Sequence, residues 1–244
     1  MRLPSKTRPD VVASSNHFLR RVNSIVAVPL GEIDYLRGNT DDFFGDFIMD
    51  EYEQQTVGGA GSQIYLYDGG AGNTGGGVYM QTHAAIGAYA RLWKGNSAYN
   101  YDTLDADDGW VQICRAKVQS VAGVGTDYFA NPLAAETAGG NAIFVEYDST
   151  VSANWLLESQ SGGGAITQTD SGVAKDENWH WHTLRVYPIT GGHQADHYLD
   201  GALINSKTTD MPNAVLTPFV RIHTLSAATR SMRLDFWRVF PRNP

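Results

Sequence analysis

Residues 179–240 read WHWHTLRVYPITGGHQADHYLDGALINSKTTDMPNAVLTPFVRIHTLSAATRSMRLDFWRVF, and the reading of this stretch decides the fold. Its centre is Asp200-Gly201, with HYL before it and ALI after it. An Asp-Gly pair between two apolar runs is the sequence form of a two-residue hairpin, whose turn needs positive φ. Upstream of it, Trp181, Thr183, Arg185 and Tyr187 alternate with His182, Leu184, Val186 and Pro188. Downstream, FVRIHTL and MRLDFWRVF alternate in the same way, with Leu234, Phe236 and Val239 as the expected inward positions. A period of two over successive segments predicts antiparallel β structure.

Working outward, the same pattern recurs through most of the chain. Gln63 to Tyr67 reads as one short strand between glycine-rich loops, and GVYMQTH, GAYARLWKG, GWVQICRAKVQSV, AIFVEYDST, ANWLLESQ and AITQTDSGV follow. The clusters between them, GNSAYNYDTLDADDG, NPLAAETAGGN, SQSGGG and GVAKDEN, read as turns because they concentrate Gly, Asn and Asp. The first body strand is expected near Phe43, with Glu53 to Val57 after it. About ten to thirteen strands at this spacing predict a two-sheet antiparallel jelly-roll sandwich, with a barrel as the alternative. No fixed-length repeat supports a propeller or solenoid. The glycine-rich stretch 58–77 lacks the lysine and the following helical pattern of a phosphate-binding loop.

Composition agrees. In 244 residues there are 26 glycines and 9 prolines, with 11% aromatic and only 18% charged residues, which suits many strands joined by tight turns. No run approaches the roughly 18 apolar residues that span a bilayer, and the N-terminal residues carry no apolar stretch of a secretory signal, so neither membrane nor secretion is expected. The single cysteine, Cys114, lies within a strand-like run and reads as a buried reduced thiol. The net charge of −8 is uneven: residues 1–22 carry Arg2, Lys6, Arg8, Arg20 and Arg21 against Asp10, +4, which leaves −12 for the rest. An acidic body argues against nucleic-acid binding. Residues 1–40, marked by Pro4, Pro9 and Pro29, read as an extended basic N-terminal arm, and residues 41–244 as one sandwich domain.

The order of features resembles the concanavalin A-like lectin/glucanase superfamily, in particular its laminin-G-like and pentraxin-like jelly rolls. The residues that carry the likeness are DDFFGDF, GGGVYMQT, WVQICRAKV, AIFVEYD, the Trp181-x-x-Leu184-x-Val186 strand, the Tyr198-Leu199-Asp200-Gly201 hairpin and the closing MRLDFWRVF. The resemblance covers about residues 40–242. It implies two stacked, curved sheets with sugar bound on the concave face in some members and hydrolysed in others. In the glucanases an E-x-D-x-E or E-x-D-x-x-E strand aims three carboxylates into the cleft. Here Glu146 and Asp148 match the first two, and Thr150 or Val151 stands where the second glutamate would be. Retaining hydrolysis needs two carboxyl groups, so the missing one argues against an enzyme unless the acid/base comes from elsewhere.

Other chemistry is less supported. Calcium, which pentraxin-like relatives bind, has candidate ligands in Asp102, Asp105, Asp107 and Asp108, although loop aspartates also form turns and no EF-hand pattern is present. No other cofactor is expected. His180, His182, His193 and His197 with Asp196 make a zinc set conceivable, without the spacing of a zinc module. There is no G-x-S-x-G elbow for a serine nucleophile. For glycan binding, Trp93 and Trp155 lie near turns and are expected to be exposed, alongside Glu146 and Asp148, whereas Trp110 and Trp237 are expected in the core.

The leading functional expectation is a non-enzymatic virion component, a phage capsid decoration or tail protein, assembled in the host cytoplasm. Its arm would latch onto other virion proteins and onto copies of itself in a homo-oligomer. Jelly rolls of this kind occur in phage structural proteins, which is an implication of the resemblance. The alternatives are a lectin or adhesion module for surface glycans, and a glycan hydrolase.

Overall fold

The computed structural model describes residues 52–58, 61–67, 77–94, 104–120, 127–137 and 139–241. The arm residues Arg2, Lys6, Arg8, Arg20 and Arg21 and the strand expected near Phe43 lie outside the described residues. Among those described, the chain forms fourteen strands and no helix: β1 (Tyr52–Val57), β2 (Gln63–Tyr67), β3 (Gly77–Gln81), β4 (Tyr89–Lys94), β5 (Trp110–Ser120), β6 (Tyr128–Thr137), β7 (Asn141–Asp148), β8 (Asn154–Gln160), β9 (Thr167–Ala174), β10 (His180–Ile189), β11 (Gly192–Leu199), β12 (Ala202–Lys207), β13 (Thr217–Thr224) and β14 (Arg230–Pro241).

They pair into two antiparallel sheets of seven strands each, ordered β1-β4-β13-β6-β7-β8-β9 and β12-β11-β10-β5-β14-β3-β2. This is the jelly-roll sandwich that the alternation predicts. One apolar core fills the space between the sheets, anchored by Trp110, Trp155 and Trp237 with Leu92, Leu133 and Val145. Trp110 and Trp237 are where the pattern put them, and Cys114 is a buried free thiol. The hairpin between β11 and β12 turns at Asp200, φ 50°, and Gly201, φ 86°, the two positive φ values that the Asp-Gly pair was read to supply.

Two expectations change, each through a β-bulge. The NPLAAETAGGN cluster, read as a turn, is mostly strand β6. Its proline is tolerated because the register shifts there: Ala130 faces Tyr147 and Leu133 faces Val145, so Asn131 and Pro132 together oppose Glu146. A proline lacks the N–H that a central ladder needs, and a bulge is one of the few places in a sheet that accept it. In β14 the register shifts between Leu234 and Phe236. The inward positions therefore run Leu234, Trp237, Val239, and Phe236 moves to the opposite face, where its ring lies 5.6 Å from that of Trp181.

At one end of the β6–β9 sheet edge, two turns dock. Gly140 has φ +74°, and a Cβ there would sit 2.6 Å from the Cα of Gly163, whose N–H donates to the Gly140 carbonyl at 2.9 Å. Gly162 has φ +59° and open space around it. Gly162→Ala should cost only the left-handed strain, about 1–2 kcal/mol. Gly140→Ala adds a backbone clash and should lower the urea midpoint clearly more; equal midpoints for the two variants would mean that the docking of the turns is not as described.

Candidate active site

Because Ile143 and Val145 of β7 and Trp155 and Leu157 of β8 point into the core, the alternate residues Glu146, Asp148, Leu156 and Glu158 point to the other face of their sheet. The registers assemble that face into rows running across the strands. One row is Trp93, Phe219, Ala134, Phe144, Glu158 and Gln168. The next is Arg91, Arg221, Asn131, Glu146, Leu156 and Asp170, with Asn131 brought into it by the bulge.

Glu146 and Glu158 thus stand diagonally across one strand pair, within reach of each other, and the charge of Glu146 bears on Glu158. Both are buried, at 7% and 2% exposure. Burial, which disfavours the charged form, raises both pKa values above the ordinary carboxylate value. Glu158 is pushed up to about 8, by burial first and by the Glu146 charge second. Glu146 is held back from a comparable rise by the hydrogen bond from Asn131 and the charge of Arg221. Interacting carboxyls titrate as a pair, and the donor on Glu146 favours placing the proton on Glu158.

The surrounding contacts are polar and directed. Asn131 Nδ2 donates to Glu146 Oε2 at 2.7 Å, and Arg221 Nε and a terminal nitrogen donate to Asn131 Oδ1 at 3.0 and 2.9 Å. On the other side, Gln168 Nε2 donates to Glu158 Oε1 at 2.6 Å. Arg91 pairs with Glu136 at 2.6 Å and lies 3.3 Å over the Trp93 ring and 3.6 Å over that of Phe219.

The expected site residues divide accordingly. Glu146 is central. Asp148 lies on the same face at the end of β7, but its Oδ1 accepts from the N–H and hydroxyl of Thr150 at 2.8 and 2.7 Å. It caps the turn, and Thr150, where the family's second glutamate would stand, has left the strand. Trp93 is half-buried on this face, three strands from Glu146 or about 14 Å, with Arg91 already stacked on it. Trp155 is corrected: it is 1% exposed, packed in the core against Tyr147 and His182, and offers no face to a sugar. The outward rows of β8 and β9 were not foreseen. The signal was a lone glutamate on the outward phase of ANWLLESQ, whose inward phase is Trp155, Leu157 and Ser159.

The metal candidates do not come together. Among the described residues no group of three or more His, Cys, Asp or Glu could hold a metal ion. Asp105 accepts from the Asp107 N–H in a local turn, and Asp107 pairs with His193 at 2.7 Å; Asp102 lies outside the described residues. His180 bridges Asp176 and Asp200 at 2.7 and 2.6 Å. His182 and His197 stack on each other in the core, with ring nitrogens 3.3 Å apart, and burial lowers both.

Solved structures that share this architecture include sugar-acting and sugar-recognising proteins, all at low identity. A prokaryotic β-1,3-1,4-glucanase (lichenase) derived from a mouse hindgut metagenome matches with TM-score 0.58 at 13% identity, covering 84% of this chain and 99% of that one. A glycosyl hydrolase family protein from Mycobacterium fortuitum matches with TM-score 0.55 at 14% identity, covering 82% and 98%. The carbohydrate recognition domain of Emp47p matches with TM-score 0.54 at 9% identity, covering 83% and 94%. No family model matches the sequence, and no curated protein matches it. What these structures share with this chain is the fold, a two-sheet antiparallel jelly-roll sandwich.

The expectation of a non-enzymatic virion component is corrected at this point. It rested on the basic arm and on the absence of a secretion signal, disulfides and catalytic residues, and the last of these changes because Glu158 brings a second carboxyl group from the neighbouring strand. The matched structures include glucanases and a further glycosyl hydrolase, and none of those named here speaks for a virion role.

The raised carboxyls carry a stability signature. Each holds its proton more tightly when folded than when unfolded, so the stability each contributes is full below the ordinary pKa of 4.5 and is lost as pH rises through its raised folded value, about 8 for Glu158. The loss is at most about 1.4 kcal/mol per pH unit per proton. Glu158→Gln should flatten the fall in urea midpoint between pH 5 and pH 9 and be the more stable form at the alkaline end; an unchanged slope would show that Glu158 does not hold the proton.

Proposed function

We propose that this chain is a glycoside-cleaving enzyme acting on a β-linked glucan, with Glu158 as general acid/base and Glu146 as nucleophile. The observation that carries this reading is the buried Glu146–Glu158 pair, set diagonally across β7 and β8 on the outer face of the β1-β4-β13-β6-β7-β8-β9 sheet. Retaining enzymes hold their two carboxyl groups roughly 5–5.5 Å apart, a spacing that two glutamates on a cross-strand diagonal can reach. The glucan substrate is suggested by what the matched glucanases are described as acting on.

In the first step Glu158 gives its proton to the glycosidic oxygen as the bond from C1 to that oxygen breaks, and a Glu146 oxygen bonds to C1. In the second, Glu158 takes a proton from water as the water oxygen bonds to C1 and the Glu146–C1 bond breaks. Atoms balance over the two steps: one water is consumed and two sugar ends are released. A proton carrier held near neutral pH serves both roles better than an ordinary carboxylate would.

Release of reducing ends from mixed-linkage β-1,3-1,4-glucan and from β-1,3-glucan should be lost by about 10²–10⁴-fold in Glu158→Gln and at least as strongly in Glu146→Gln. The newly formed reducing end, followed by proton NMR before mutarotation, should keep the anomeric configuration. A wild-type chain inactive on both glucans, or an inverted product, would sink the double-displacement reading.

A further inference from the structure

Two similar buried carboxyls in contact have no intrinsic reason to divide their roles. The division here is traceable to Asn131. The atom facing Arg221 receives two N–H donors, and a guanidinium has no acceptor, so that atom is the amide oxygen. The other end is then an NH₂, which can only donate, and it lies 2.7 Å from Glu146 Oε2. That oxygen must accept. On the opposite flank the acceptor Glu158 Oε1 is occupied by Gln168 Nε2, which leaves the second Glu158 oxygen to carry the proton.

We infer that Asn131 is a positioning residue: clamped by Arg221 and aimed by the bulge at Asn131-Pro132, its amide makes Glu146 the ionised carboxyl and Glu158 the proton carrier. The donors run one way, from the Arg221 cation through Asn131 to Glu146, and from Gln168 to Glu158. Asn131 is fully buried, and an amide with neither end matched would not be held there. The bulge supplies the aim. With two residues of β6 opposite Glu146 and the ladder to β13 shifted between Phe219 and Arg221, Asn131 sits between the two side chains that it links. The inference rests on the proposed roles of the two glutamates for its meaning, and on the hydrogen bonds alone for its test.

The test is carboxyl ¹³C titration of the full chain labelled at glutamate, with the two signals assigned through Glu146→Gln and Glu158→Gln. In the parent, Glu146 should titrate well below Glu158. In Asn131→Ala the Glu146 midpoint should rise by about one pH unit or more, equivalent to about tenfold in the proton equilibrium. Asn131→Asp, which keeps the shape and the Arg221 contact but turns an acceptor toward Glu146, should raise it further and serves if the alanine variant fails to fold. On an active substrate, the acid limb of the kcat/KM profile should move up by the same amount while KM stays within about twofold, since the residue acts through Glu146 and not on the sugar. An unchanged Glu146 midpoint in both variants overturns the inference whatever the activity. A parent chain inactive on every glucan, whose Glu146 midpoint nevertheless rises in these variants, loses the enzymatic reading and keeps this one.

Discussion

The central strands among the described residues obey one constraint: successive side chains go to opposite faces, and one face meets the partner sheet. For β7 and β8 the core takes Ile143, Val145, Trp155 and Leu157, so Glu146 and Glu158 have no choice of side. A slip of one residue would carry both carboxyls into the core and the apolar set out of it, which is why the apolar phase of these strands also fixes the carboxyl pair. Where the chain needs a departure from strict alternation it inserts a bulge. One in β14 keeps Trp237 and Val239 in the core beyond Asp235, and one in β6 aims Asn131.

The pair itself is a costly feature. A buried carboxylate is disfavoured unless it is neutralised or well bonded, and here each remedy is used once: Glu158 keeps its proton and Glu146 accepts from Asn131. Elsewhere in the fold, buried polar groups are resolved for structural ends. Asp196 is ringed by Tyr187, Gln194 and Ser206, and His182 and His197 are kept neutral by burial. The Glu146–Glu158 pair differs because the two groups titrate against each other.

Legibility in the sequence followed range. The Asp200-Gly201 hairpin is local, needing only two positive φ values beside alternating strands, and it was read correctly. So was Gln63–Tyr67, bounded by turn residues. The Asn-Pro of β6 was misread because the same dipeptide marks a turn or a bulge, and only pairing with β7 and β13 distinguishes them. Trp155 was misplaced because nearness to a turn says nothing about which phase of the strand a residue occupies. Thr150 was rightly seen to leave a gap in the carboxylate pattern, but a gap along one strand does not exclude a group on the next.

What the sequence determined by itself was the period-two pattern, the turns and hence two antiparallel sheets, since these depend on contacts a few residues apart. The apolar phase of each strand also determined which residues could share a face. Only the tertiary structure decided that β7 and β8 lie side by side in a register that brings Glu158 to Glu146, with Arg221, 75 residues further along than Glu146, reaching the same place through Asn131. Hydrogen-bonded neighbours that far apart in the chain are joined by sheet order and a bulge, and neither is written in the composition or spacing of any one segment.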